Sequence, residues 1–414
     1  MIKRCLLLSL IFFMFPVIVS AQELKPVAVL SIRNLMDVTQ KTSLFLSAAN
    51  PQTGPQAAML LNMLLLSPQI AAIDIQKPIT GYLYFSEPAL QPILFASKRQ
   101  NVNPVNIDFM PGQALEPHTG KNNTVVYYDK AFAGEAVHVK ADMIKVPEGD
   151  ISGVYFFRDV LPIPGQVESS GDLVNLISTE LEQFSFALKF HSAKELGVKI
   201  DLQSNPDGDL VSFSNSAHPR LRAAVQMLAK PSYLLYAQIP AHPTVGTGFS
   251  MLCSMISSDF LDQEHILGKF LNTVISGSHN SAIALSENET FALLSGILPA
   301  GETRKKFDQY LKDNGDSYDG KTFVFRQPNG TDLYIRINGD TANLLIRQKD
   351  GTQDSVSQAF ATLKPARLPL GEREFLRGVI PGDTGWKNFA SGTMQNGRFQ
   401  LNLTITPELK SNLK

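Results

Sequence analysis

The stretch AIALSENETFALLSGI, residues 282–297, is the clearest guide to the organisation of this chain. Two apolar runs flank the polar segment Ser286 to Thr290, which is the pattern of two short strands joined by a turn. The stretch YLYFSEPALQPILFAS, residues 82–97, has the same layout, and its Ser86-Glu87 aligns with Ser286-Glu287. Similarity at a fixed shift along the chain predicts an internal repeat.

Three further pairs of segments agree with this shift in their order and spacing. They are PVAVLSIRN (26–34) with SYLLYAQIP (232–240), TVVYYDK (124–130) and AVHVKAD (136–142) with TFVFRQ (322–327) and LYIRING (333–339), and ELGVKIDLQSNP (195–206) with NGRFQLNLTITP (396–407). Chance similarity between strand-length apolar runs is the alternative explanation. We expect two diverged copies related by a pseudo-twofold axis, a first repeat domain over residues 22–229 and a second over 230–414. A helix over 219–229 is expected to close the first copy.

The order of predicted elements indicates the fold class. Runs of strands are separated by paired helices without a strict βαβ alternation, which predicts an α+β fold. Each copy is expected to have a largely antiparallel sheet with helices packed on one face. Within the first copy, PQAAMLLNMLLL after Gly54 is a predicted helix whose Met-rich surface is expected to face the core. A further helix is predicted over 172–183. In the second copy, residues 321–351 carry regularly spaced Asn, Asp and Gly between alternating runs, which predicts an antiparallel meander.

The N-terminal segment, MIKRCLLLSLIFFMFPVIVSAQ, has the features of a secretory signal peptide. Lys3 and Arg4 precede an apolar run from Leu6 to Val19, and the small residue Ala21 stands at the expected cleavage point. The run is shorter than the roughly 18 to 20 residues of a membrane span. Residues 1–21 are therefore predicted to be removed, which leaves a secreted or periplasmic chain without a transmembrane segment. Only Cys253 would remain, so no disulfide is expected within the mature chain.

The charge balance argues against a nucleic-acid partner. The chain has 37 basic and 38 acidic residues. Binding to phosphates requires a concentrated basic patch, and the sequence has no block of Lys and Arg.

Several constellations suggest chemistry, but each has a simpler interpretation. Cys253, with Asp259 and His265 downstream, resembles a thiol nucleophile, yet its apolar neighbours favour a buried, unreactive thiol. The seven histidines (118, 138, 191, 218, 242, 265 and 279) never occur three or four residues apart, the spacing with which one helix face binds a metal. His218 and His242 each precede a proline and are predicted to lie in turns.

Two loop-like segments also resemble binding sites. KDNGDSYDGKTF, residues 312–323, lacks the ligand spacing of a calcium loop and is predicted to be a solvated turn. TVGTGF, residues 244–249, places two glycines before a predicted helix, which is only a weak indication of an anion site. The chain lacks the Gly-x-Ser-x-Gly and His-Glu-x-x-His motifs.

The sequence therefore assigns no catalytic, cofactor-binding or metal-binding residue, and it predicts no cofactor. The leading hypothesis is an exported, non-catalytic binding or interaction protein of the bacterial cell envelope or periplasm. Its partner would be an envelope protein or a small ligand in the groove between the two copies. The alternatives are a secreted hydrolase with an active site dispersed between the copies, and a structural component of an envelope assembly held by exposed strand edges.

Overall fold

The computed structural model describes residues 26–49, 54–86, 89–110, 113–120, 123–132, 144–157, 176–255, 265–327, 331–347, 353–366, 370–381 and 386–407. The predicted signal peptide lies outside these ranges, and so does the predicted strand over 136–141. Of the helix predicted over 172–183, residues 176–183 are described. Residues 176–180 are helical, but a strand begins at Leu181, so the prediction of a helix up to Gln183 was wrong.

The described chain contains 21 strands. In chain order, β1 to β21 are Pro26–Ile32, Ile79–Ser86, Ala89–Ser97, Ile107–Met110, Gln113–Thr119, Thr124–Tyr128, Ile151–Phe156, Leu181–Ser192, Glu195–Ser204, Gln226–Met227, Tyr233–Ile239, Ser281–Glu287, Phe291–Ile297, Ser317–Tyr318, Thr322–Arg326, Asp332–Asn338, Thr341–Arg347, Lys364–Pro365, Glu374–Pro381, Trp386–Gln395 and Arg398–Pro407.

Most helices lie between β1 and β2 in the first half and between β11 and β12 in the second half. In chain order, α1 to α8 are Leu35–Ala49, Gly54–Leu65, Pro68–Ala71, Leu210–Ser214, Pro243–Met255, Ile266–Val274, Glu302–Asn314 and Gln353–Ala361, with a single 3₁₀ turn at Lys130–Phe132. Within the described ranges, no helix combines the length and the apolar character that a membrane crossing requires.

Nineteen strands form one sheet, and all of their pairings are antiparallel. From edge to edge the order is β4, β5, β6, β3, β2, β1, β7, β8, β9, β21, β20, β19, β11, β12, β13, β17, β16, β15 and β14. The remaining strands, β10 and β18, pair only with each other. The prediction of an α+β fold with a largely antiparallel sheet is confirmed.

The middle of the sheet is formed by β9 and β21, which come from opposite halves of the chain. Their ladder runs from the pair Leu196 and Ile405 to the pair Gln203 and Arg398. The strand β8 flanks β9 as its hairpin partner, and β20 flanks β21 in the same way. The two halves of the chain are thus joined by a continuous set of backbone hydrogen bonds.

The second half is covered by helices on both faces of the sheet. Leu344 and Leu345 are adjacent in β17 and are both fully buried, so their side chains point to opposite faces. Leu344 belongs to a core with Phe270 of α6 and Phe307 of α7. Leu345 packs with Phe360 of α8. The prediction of helices on one face was therefore wrong for this half, because its strands carry apolar residues on both faces and each face needs cover.

Residues 219–229, which connect the two halves, have an extended backbone and not the predicted helix. The backbone N–H of Gln226 donates to the hydroxyl of Ser295 at 2.8 Å, and that of Leu228 donates to the hydroxyl of Ser286 at 3.1 Å. Both serines are fully buried in strands of the second half. These long-range hydrogen bonds satisfy backbone groups that a helix would satisfy locally. The predicted helix was therefore wrong, and the segment forms β10 instead.

The helix after Gly54 is present as α2, but its Met-rich surface does not face the core. Met59, Leu60 and Met63 are 65, 64 and 57% exposed. The helix packs on α1, which in turn contacts β8. Gly54 allows this close approach, since a Cβ there would lie 2.3 Å from the Leu46 carbonyl oxygen. The expectation of a core face was wrong because α2 forms an outer layer.

Candidate functional site

The three central strands β8, β9 and β21 have one apolar and one polar face. Alternate residues of a strand point to opposite faces, and β8, β9 and β21 alternate in polarity over most of their length. We call the following partly buried side chains the central apolar strip: Phe184, Phe186, Leu188, Val198, Ile200, Leu202, Phe399, Leu401 and Leu403.

The pairing register aligns the strip across strands from both halves. Phe186 pairs with Ile200, and Ile200 pairs with Leu401. None of these three side chains is fully buried, whereas Ile335 of β16 and Leu344 of β17, in the same sheet, are 0% exposed. The middle of the sheet therefore presents apolar surface that solvent reaches in part.

Two helices, α1 and α4, make aromatic contacts at the borders of the strip. Phe45 of α1 meets Phe190 of β8 edge-to-face at a ring distance of 5.9 Å. Phe213 of α4 stacks on Phe399 at 5.8 Å. Gly153 of β7 leaves room for Phe186, because a Cβ at Gly153 would lie 2.5 Å from the Phe186 ring. The strip is thus a shallow surface with α1 at one end and α4 at the other.

The opposite face of the same strands is polar and partly linked by side-chain hydrogen bonds. The amide of Gln400 donates to Asp201 at 2.9 Å, and that of Gln203 donates to Glu182 at 2.8 Å. Beside these lies an open depression of about 410 Å³ that is lined by Arg373, Thr393, Gln395, Asn396, Arg398 and Gln400. Its lining has two arginines and no acidic residue, so its chemistry favours an anion over a cation.

A serine and a histidine from different halves meet near α4. The Ser212 hydroxyl lies 3.3 Å from Nε2 of His242. However, this hydroxyl donates to the Asp209 carbonyl oxygen at 2.7 Å, and the buried Nδ1 of His242 has no hydrogen-bond partner in the described chain. An activated serine donates to its base, and a third group orients that base. The contacts of Ser212 and His242 do not match this arrangement.

Three other described histidines, His218, His265 and His279, make hydrogen bonds that fix the structure around them. His218 lies 2.9 Å from Gln238 and donates to the Gly371 carbonyl at 2.8 Å. His265 caps α6 by accepting from the Leu267 N–H. Burial lowers the pKa of His279, although its hydrogen bond to the Ile297 carbonyl opposes that effect. No three His, Cys, Asp or Glu side chains of the described ranges are close enough together to hold a metal ion.

Two further candidates from the sequence are the acidic segment 312–323 and Cys253. Short bends lie on either side of β14, where Asp316 accepts from the Arg326 N–H and Asp319 accepts from the Lys321 and Thr322 N–H groups. The backbone hydrogen bonds to Asp319 lower its pKa. The prediction of a turn over 312–323 was right only in part, because α7 extends to Asn314 and Ser317–Tyr318 form β14. Cys253 lies in α5, but its side chain is outside the described part of the chain, and so is Asp259.

The two glycines of TVGTGF lie inside α5 and do not precede it, so that prediction was wrong. Gly246 has a packing role, because a Cβ there would lie 2.3 Å from the Ser276 carbonyl oxygen. Its small size allows α5 to touch the backbone after α6. Neither glycine therefore indicates an anion site.

Groups with shifted pKa values are spread over both halves. Burial raises the pKa of Tyr84, in the first half, to about 12. In β19, burial alone would raise the pKa of Glu374, but hydrogen bonds from Arg377 and the Gly371 N–H together lower it. These two groups lie in strands on opposite sides of the central ladder. Their separation differs from the single cluster that is typical of an active site.

No protein-family model matches the chain, and no curated protein is significantly similar to it. The central apolar strip and the depression with two arginines are therefore interpreted from their geometry alone.

Proposed function

We propose that this chain is an exported, non-catalytic binding protein whose ligand lies on the central apolar strip. The observation that carries the proposal is the partial exposure of Phe186, Ile200 and Leu401 in the middle of the sheet. Apolar side chains in this position are normally covered, and a contiguous open apolar surface is a common feature of binding sites. The N-terminal pattern of residues 1–21 supports export to the periplasm or beyond.

The chemistry of the strip favours an uncharged, apolar ligand. Its nine side chains are aliphatic or phenyl groups and offer neither charge nor hydrogen bonds. The arginines of the open depression lie on the opposite face, so they would not contact the same molecule. A flat aromatic compound or an extended acyl chain fits a shallow surface that has Phe184 and Phe186 on it, since burial of apolar area would supply the affinity.

We also propose that the chain is a duplication, with a pseudo-twofold axis near the β9 and β21 ladder. The strand order supports this, because from the centre outward one side reads β9, β8, β7, β1, β2, β3 and the other reads β21, β20, β19, β11, β12, β13. On this basis the equivalent of β6 is β17, because β6 pairs with β3 and β17 pairs with β13, the equivalent of β3. The sequence had instead matched β6 with β15. Repeat domains over 22–229 and 230–414 remain the proposed division.

Binding to the strip is tested with two matched variants of adjacent residues. Leu401→Thr replaces an apolar strip residue by one that also suits a strand, and Asn402→Thr makes the same replacement on the polar face. The probe is N-phenyl-1-naphthylamine, which is uncharged and fluoresces in apolar surroundings. We expect Leu401→Thr to weaken binding about tenfold, because it removes apolar contact area and places a hydroxyl in the site.

Asn402→Thr should bind the probe as the wild-type chain does. Leu60→Gln, on the exposed surface of α2, separates binding there from binding at the strip. Thermal melting of all three variants shows whether each is folded at the assay temperature. Equal affinity of the Leu401→Thr and wild-type chains, with both folded, would contradict the proposal.

A further inference from the structure

The helix α2 presents an apolar stripe to solvent. Its members are Met59, Leu60 and Met63, with Leu66 immediately after the helix, and they are 65, 64, 57 and 81% exposed. The spacing of three and four residues places these side chains along one side of a helix. We call these four residues the α2 stripe.

The chain around the α2 stripe carries no charge. Between Lys41 and Asp74, no Asp, Glu, Lys, Arg or His occurs in the sequence. The other exposed positions of α2 include Gln56 and Asn62, which are polar but uncharged. A partner that binds here would therefore contact apolar side chains and amides and would form no ion pairs with this segment.

The α2 stripe is large for a monomeric protein. Four side chains at these exposures amount to on the order of 500 Å², which is near the top of the range for the largest apolar patch on a monomer. Two such stripes in contact would bury about 1,000 Å² in total, close to the lower limit of specific protein interfaces. Contact by the flanking uncharged residues would add to this area.

We propose that two copies of this chain associate through their α2 stripes about a twofold axis. A twofold interface brings the same patch of both copies together, so the patch must be complementary to itself. The α2 stripe meets this condition because it has no charge that would repel its own copy. A membrane surface is a poorer match, since helices that lie on membranes typically carry Lys or Arg on their polar side, and α2 has neither.

The test uses purified chains from residue 22 onward, which include every described residue. Sedimentation velocity over a wide range of concentrations should show a monomer and dimer equilibrium for the wild-type sequence. Met59→Glu and Met59→Lys should each raise the dissociation constant by about a hundredfold or more, because like charges would face each other in the interface. A mixture of the two variants should recover the dimer, since opposite charges then meet.

Asn402→Glu is the control, because it adds a charge at an exposed position in the middle of the sheet. It should leave the dissociation constant unchanged. Met59 is exposed, so circular dichroism and unfolding midpoints of its variants should match those of the wild-type chain. A wild-type chain that is monomeric at every concentration would overturn the proposal. So would a mixture of the Glu and Lys variants that stays monomeric, or a monomer whose flotation with phosphatidylcholine vesicles is abolished by Met59→Glu.

Discussion

Lys199 and Asn402 lie directly opposite each other in the antiparallel ladder at the centre of the sheet. Each is the fifth residue of a ten-residue strand, since β9 begins at Glu195 and β21 at Arg398. Both side chains are exposed on the polar face. This pair therefore marks the middle of the contact that unites the two halves of the chain.

The register of this ladder is testable by crosslinking. Lys199→Cys with Asn402→Cys should form a disulfide on mild oxidation, because opposite residues of antiparallel strands have suitable Cα distances. Closing so long a loop is expected to stabilise the chain by about 4 kcal/mol, as measured by urea unfolding with and without reductant. Lys199→Cys with Thr406→Cys, four residues along the same strand, should not crosslink. The single variants control for pairing with Cys253, and crosslinking of both pairs to the same extent would argue against the register.

The buried hydroxyl of Ser295 is expected to matter for stability. It accepts from the Gln226 N–H and donates to Oδ1 of Asn343 at 2.7 Å. Ser295→Ala leaves both groups buried without this partner, so we expect a loss of about 1 to 3 kcal/mol in the free energy of unfolding. Ser278→Ala removes an exposed turn hydroxyl and should change this free energy by less than about 0.5 kcal/mol. Equal effects of the two substitutions in urea unfolding would show that the Ser295 contacts are unimportant.

Gly246 and Gly248 should differ sharply in their tolerance of alanine, although both lie in α5. A Cβ at Gly246 would lie 2.3 Å from the Ser276 carbonyl oxygen, so α5 would have to move. Overpacking of this kind costs about 1 to 3 kcal/mol. At Gly248 the nearest atom is the end of the Leu176 side chain at 3.2 Å, which is able to shift. Alanine also favours helix over glycine by about 1 kcal/mol. Thermal unfolding should therefore give a clearly lower midpoint temperature for Gly246→Ala than for Gly248→Ala. The reverse order would refute the packing role of Gly246.

His279 should contribute to a loss of stability in mild acid. Burial lowers the pKa of His279 in the folded chain below that of the unfolded chain. As pH falls below the unfolded value of about 6.5, the unfolded chain binds a proton more readily, so the free energy of unfolding decreases. Above that pH, both states are neutral at this position and the effect is absent.

His279→Gln should reduce this acid-dependent loss, because glutamine does not titrate. The measurement is urea unfolding of both chains between about pH 5 and pH 8. The difference in their free energies of unfolding isolates His279 from the other histidines. A difference that is constant across this pH range would exclude the role of His279 titration.

Local patterns in the sequence predicted much of the fold. The alternation in GVKIDLQ and RFQLNLT, within β9 and β21, was enough to identify two strands, and the turn residues at 338–340 were enough to place β16 and β17 in a hairpin. What the sequence could not reveal was that β9 and β21 pair with each other. That pairing joins residues about 200 positions apart, and no local pattern encodes it.

The wrong predictions share a physical cause. In α2 almost every position is apolar, so periodicity could not show which side would be covered. In the segment 219–229, backbone N–H groups donate hydrogen bonds to the buried hydroxyls of Ser286 and Ser295. Neither serine is near this segment in the sequence. The central apolar strip was missed for the same reason, because its rows combine residues from both halves. Tertiary contacts decided each case.

The position of β21 also sets an order of events during synthesis. Among the described strands, β21 leaves the ribosome last, yet it is inserted between β9 and β20 in the middle of the sheet. Until residues 398–407 emerge, the open edge of β9 exposes unpaired backbone groups. The two halves of the chain would thus stay unjoined until residues 398–407 are available, and the edge of β9 would need protection from other chains until then.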